Sequence, residues 1–176
     1  HNLDPHTGIP FLPHMAGYLA SSIDKCGFNV NVVDCFGINS KTNFKFKDFL
    51  LIGISPKDII SRLSKDSNIC FIYCKVIEDL FAVELIIKEI KEKLPNRKIC
   101  LFENIQTTNS FSLKKIINYL FEKGCDYVIF GEPENKIENF LKNYQIIDNL
   151  KNIPGIAYKN NSEIIVNENE IYNKEL

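Results

Sequence analysis

The chain has 176 residues, of which 45% are hydrophobic and 24% charged, with a formal net charge of -1. That is enough apolar material for the core of one domain with at most a small appendage. The near-neutral balance, the lack of a basic stripe and the absence of tryptophan argue against a nucleic-acid partner, and no apolar run is long enough to span a membrane.

In chain order, Asp4-Pro5-His6-Thr7-Gly8-Ile9-Pro10 reads as a loop. Pro13 to Lys25 carries Met15, Leu19 and Ile23 at helical spacing, and Gly27 stops it. Phe28 to Val33 (FNVNVV) alternates as a strand does, with Asp34 at its end. Asn39 to Lys47 reads as polar and irregular, and Phe49 to Ile54 as a short apolar edge segment. Ser55 is placed to cap a helix that opens on Pro56 and buries Ile59, Ile60 and Leu63.

The middle of the chain repeats one rhythm. Ile69 to Cys74 (ICFIYC) and Lys98 to Phe102 (KICLF) are continuous apolar runs, as strands buried on both faces are. Glu78 to Lys93 is an amphipathic helix striped by Leu80, Val83, Ile87 and Ile90. Ser112 to Lys123 is another helix, ended by Gly124. Tyr127 to Phe130 is a strand closed by Gly131, and Asn135 to Lys142 a further helix. Ile156 to Lys159 and Glu163 to Val166 form a hairpin around Asn160-Asn161-Ser162.

This alternation predicts an α/β protein: a Rossmann-like, flavodoxin-like doubly wound parallel sheet with a C-terminal β-hairpin. Residues 1–150 would form the α/β domain and 151–176 the hairpin and a linker. Such a sheet normally opens on a strand, whereas here a loop runs into a helix, so the first strand is expected upstream of residue 1.

Six cysteines are present, at positions 26, 35, 70, 74, 100 and 125. Cys70, Cys74 and Cys100 lie in or beside apolar runs, and no secretory signal is seen, so reduced packing cysteines in a cytoplasmic protein are expected. No C-x-x-C pair and no three-cysteine cluster suits an iron–sulfur cluster. Neither a G-x-G-x-x-G nor a Walker motif occurs, and no Ser-His-Asp set is visible. Tyr73-Cys74-Lys75 leaves no phosphoacceptor aspartate after that strand. His6 reads as an exposed loop residue and His14 as a surface or capping residue of the first helix.

Ligands of open α/β sheets sit beyond the carboxyl ends of the strands. The loops there are Thr7 to Pro10, Asp34 to Gly37, Tyr73 to Val76, Glu103 to Thr108 and Gly131 to Glu134. Asp34 is either a ligand-binding strand-end acid or a turn residue. Glu132 and Glu134 are either helix-start acids or contacts to a cofactor or a following domain. Gly131 permits both a tight turn and close backbone approach.

Two segments carry a family resemblance: DYVIFGEPE at 126–134 and IPGIAYKNNSEIIVN at 153–167. Together they resemble the end of the cobalamin-binding domain that precedes the core of cobalamin-binding radical-SAM enzymes. LPHMAGYLASSIDKCGFNVNVVD and GISPKDIISRL are similar to that domain's first helix with second strand and to its second helix. The resemblance implies a corrinoid held by Thr7, Gly8, Asp34, Tyr73, Cys74, Glu103, Asn104, Gln106, Thr107, Gly131 and Glu132. It implies no catalytic residue and no metal ligand within this chain. A 4Fe-4S cluster and S-adenosylmethionine would belong to a downstream radical-SAM domain of the same polypeptide. The whole enzyme would catalyse methyl transfer or radical rearrangement. The family often has glycines in the loop after the fourth strand, where this chain reads Phe102-Glu103-Asn104-Ile105-Gln106-Thr107. On that loop two readings part: a corrinoid binder, or a domain of the same fold that binds none and acts as an interaction or substrate-shaping module.

Overall fold

The computed structural model describes residues 14–46, 49–74, 77–103 and 112–168. Its helices are α1 (His14–Lys25), α2 (Cys35–Ile38), α3 (Pro56–Arg62), α4 (Leu80–Lys93), α5 (Ile117–Glu122), α6 (Ile137–Asn143) and α7 (Ile147–Leu150). Its strands are β1 (Asn43–Phe46), β2 (Phe49–Ile52), β3 (Ile69–Tyr73), β4 (Lys98–Phe102), β5 (Tyr127–Ile129), β6 (Ile156–Asn160) and β7 (Glu163–Val166).

The main sheet has the order β3-β4-β5-β6-β7. β3, β4 and β5 run parallel, with Cys70 beside Ile99 and Cys100 beside Tyr127. β6 and β7 continue the sheet antiparallel, with Val128 beside Ala157. The C-terminal hairpin is therefore part of the main sheet rather than an appendage, and the sheet is mixed rather than wholly parallel. The physical reason is burial: Ile156, Ala157 and Tyr158 are as enclosed as the interior strands and need the edge of β5. Asn161 sits at φ +55° in the two-residue turn between β6 and β7, a conformation asparagine tolerates.

Strand alternation sends side chains into two cores. Ile99, Leu101, Val128 and Ala157 join Val83, Ile87 and Ile90 of α4 and Leu120 and Phe121 of α5. Cys100, Phe102, Tyr127, Ile129, Ile156 and Tyr158 join Leu19 and Ile23 of α1, Ile137 and Phe140 of α6, and Leu150 of α7. Helices thus cover both faces of the sheet. Burying each such large aliphatic or aromatic side chain contributes about 1.5–3 kcal/mol before chain entropy is counted.

Local signals set several boundaries. Ser55 Oγ accepts the Asp58 amide at 3.3 Å and caps α3, with Pro56 at its first turn. Gly124, at φ +103°, lets the chain leave α5, and the Cys125 amide turns back to the Leu120 carbonyl at 3.1 Å. Two helices begin later than their apolar stripes suggest, because 3₁₀ turns at Ile77–Asp79 and Leu113–Ile116 precede α4 and α5.

Two expectations are corrected. Residues 39–47 are not wholly irregular: Asn43–Phe46 pairs with Phe49–Ile52 as a separate two-stranded hairpin, Phe44 beside Leu51. Residues 28–33 form no strand: no described strand pairs with them. No helix among the described residues is long and apolar enough to cross a membrane.

Candidate functional site

The parallel course of β3, β4 and β5 brings Tyr73-Cys74, Phe102-Glu103 and Ile129 to Gly131 to one end of the sheet. The Cys74 amide donates to the Phe102 carbonyl at 3.0 Å, carrying the β3–β4 ladder one residue past Tyr73. The Tyr73 ring stacks on Phe102, centroids 5.1 Å apart. The Phe130 amide donates to the Gly155 carbonyl at 2.7 Å, so the end of β5 is held by the residue before β6.

Glu103 is the least expected member. It is a carboxylate only 1% exposed. Its Oε2 accepts the Leu113 amide and its Oε1 accepts the Ser112 hydroxyl at 3.2 Å. The Gly131 amide is a further donor. Burial pushes its pKa up, while these three donors pull it down. Glu103 thus ties β4 to the start of the next helical segment and to the β5 turn. Its carboxylate oxygens are turned to the Ser112, Leu113 and Gly131 donors. Ser112 and Leu113 were missed from sequence; the available signal was the N-cap character of Ser112, whose Oγ also accepts the Lys114 amide at 3.3 Å.

Gly131 is buried with φ +72°, a backbone conformation that favours glycine. Just before it, Lys136 Nζ donates to the Phe130 carbonyl at 2.9 Å. Glu132 is exposed, and its Oε2 accepts from Asn135 Nδ2 at 2.6 Å. Glu134 is half-buried, and its Oε2 has no hydrogen-bond partner among the described residues.

Asp34 follows residues 28–33 and lines one groove together with Tyr73 and Phe102. Its Oδ1 accepts the Phe36 and Gly37 amides at 3.2 and 2.9 Å, so it caps the short helix α2. The turn reading of Asp34 is the one its geometry favours. Cys74 is fully buried, and burial, with the Asp79 and Glu103 carboxylates, pushes its thiol up to about 12. A thiol kept protonated by burial is a poor nucleophile at neutral pH. Thr7, Gly8, Asn104, Gln106 and Thr107 lie outside the described residues, as do His6 and the rest of the loop after Glu103.

Among the described residues no group of three His, Cys, Asp or Glu side chains could hold a metal ion. A corrin ring makes a different demand: open backbone, few projecting charges and scattered hydrogen-bond partners. The Gly131 turn and the inward-facing Glu103 meet that demand, and Tyr73, Gly131 and Glu132 are the described residues that would border the ring.

The fold and its strand-end geometry define the chain as an α/β sheet domain with helices on both faces. No protein-family model matches the chain, and no curated protein matches its sequence.

Proposed function

We propose that this chain is a cobalamin-binding, or cobalamin-binding-like, domain of a radical-SAM enzyme, with a flavodoxin-like sheet in which residues 28–33 and β3 correspond to the second and third strands. The observation that carries the reading joins the two segments of the resemblance. DYVIFGEPE and IPGIAY, separated by residues 135–152, are neighbours in the sheet through β5 and β6. The left-handed turn at Gly131 and the absence of Glu103 from the strand-end surface lend support. When bound, the corrinoid supplies methyl-carrying or radical chemistry. This chain's residues hold it and orient it toward a radical-SAM domain in the same polypeptide. That domain would bring the 4Fe-4S cluster and S-adenosylmethionine, in the cytoplasm.

The test is a visible spectrum. Purified protein is mixed with hydroxocobalamin and desalted, both as the 176-residue chain and as the full-length gene product. A corrin spectrum near one equivalent in the protein fraction is expected. Colourless protein in both forms would reject corrinoid binding and leave the interaction-module reading.

A further inference from the structure

The register of the sheet gathers four charged side chains at the end remote from Gly131. Asp126 precedes β5, and because Tyr127 faces Tyr158, Lys159 of β6 lies beside it. Lys98 opens β4, and Lys91 comes from the last turn of α4. These four border a cleft of about 300 Å³. Phe121 of α5, Gly124 just after that helix and Ile147 of α7 supply uncharged wall.

The charges of this cleft do not balance. Asp126 takes Lys91 Nζ at 2.6 Å on one oxygen and Lys98 Nζ at 3.1 Å on the other. Lys159 has no carboxylate partner among the described residues. Its Nζ donates to the Phe121 carbonyl at 3.4 Å, a long contact, and stands 5.6 Å from the centre of the Phe121 ring. Three lysines against one aspartate leave the lining a net charge of +2, in a chain whose total is -1. A concave wall with an excess of one sign concentrates the opposite charge.

We propose that this cleft binds the phosphate group of a small, soluble organic phosphate, with Lys98 and Lys159 donating to its oxygens. Lysine ammonium groups are point-charge donors suited to phosphate, and an excess of two positive charges matches the near-dianion that a phosphate monoester is at neutral pH. Lys91 is the less exposed of the two lysines on Asp126 and stays on that carboxylate, which leaves the more exposed Lys98 for the ligand. The Phe121 ring and Ile147, 42% exposed, offer an apolar face to a short organic part. The volume is at the lower end of small-molecule sites, so that part is small. The cleft lies at the amino ends of β4 and β5, opposite the strand ends assigned to the corrinoid, and the inference does not rest on that assignment.

The experiment titrates the isotope-labelled 176-residue chain with phenyl phosphate, and separately with inorganic phosphate, at fixed pH and ionic strength, and follows amide chemical shifts. Saturable shifts at Gly124, Asp126 and Lys159 are expected, with a dissociation constant of about 1 mM or below for phenyl phosphate and weaker binding of inorganic phosphate. Lys159→Ala, at an exposed position, should weaken binding about fivefold or more. Asp126→Asn keeps an acceptor for the Ile99 amide and removes the competing charge, so it should tighten binding. Shifts that do not saturate, shifts confined to other surfaces, inorganic phosphate bound as tightly as phenyl phosphate, or an affinity that Lys159→Ala leaves unchanged would each overturn the proposal. So would binding no tighter in an Asp126→Asn protein whose spectrum is that of a folded chain.

Discussion

Asp126 and Ile99 exchange two hydrogen bonds. The Asp126 amide donates to the Ile99 carbonyl at 2.9 Å, and the Ile99 amide donates to Asp126 Oδ2, also at 2.9 Å. A side chain here extends the β4–β5 ladder before its first backbone pair, Cys100 with Tyr127. Lys91 Nζ, at 2.6 Å, and Lys98 Nζ, at 3.1 Å, hold the same carboxylate. Replacing Asp126 by alanine strands the Ile99 amide and should cost about 1–3 kcal/mol. Asp126→Asn keeps an acceptor for Ile99 and loses only the partly exposed ion pairs, so its urea midpoint should fall between those of the parent and the alanine variant.

Glu103 should give stability a pH dependence of definite sign. Burial raises its pKa in the folded protein above the ordinary 4.5. Its contribution is therefore complete below that ordinary value and declines as pH rises through the folded pKa. Glu103→Ala leaves buried donors unpaired and should destabilise by about 1–3 kcal/mol. The difference from the parent should be greater at acidic than at neutral pH. Urea denaturation of both proteins across that range measures it; a difference that grows toward neutral pH would contradict the assignment.

The aromatic cluster under β5 offers a paired test. The Tyr127 hydroxyl donates to the Tyr144 carbonyl at 2.7 Å, and Phe140 packs edge-on to Tyr127 with centroids 5.2 Å apart. Tyr127→Phe should cost about 1–2 kcal/mol by leaving a buried carbonyl unpaired. Phe140→Ala should cost about 3–5 kcal/mol through the cavity it opens. Because the side chains touch, the double variant should depart from the sum of the two. Additive chemical denaturation data would show that the contact carries no coupling.

Thiol chemistry should follow burial. Cys74, Cys100 and Cys125 are buried with raised pKa values, whereas Cys26 is partly exposed. Alkylation near neutral pH, read by peptide mass, should modify Cys26 in the native protein and reach those three only on unfolding.

Sequence alone determined the elements whose signal is local. The apolar runs of β3, β4 and β5, the stripe of α4, the cap at Ser55 and the turn at Asn161 all stand where periodicity and turn chemistry put them, since each depends on residues near in sequence. Tertiary structure decided what depends on a distant neighbour. β6 and β7 read as a separate hairpin until the free edge of β5 took them into the sheet. Residues 28–33 have a strand's pattern, but a strand exists only when another backbone pairs with it. Glu103 looked like an acid offered to a ligand. Only folding brought Ser112, Leu113 and Gly131 around it, and those donors make a buried carboxylate tolerable.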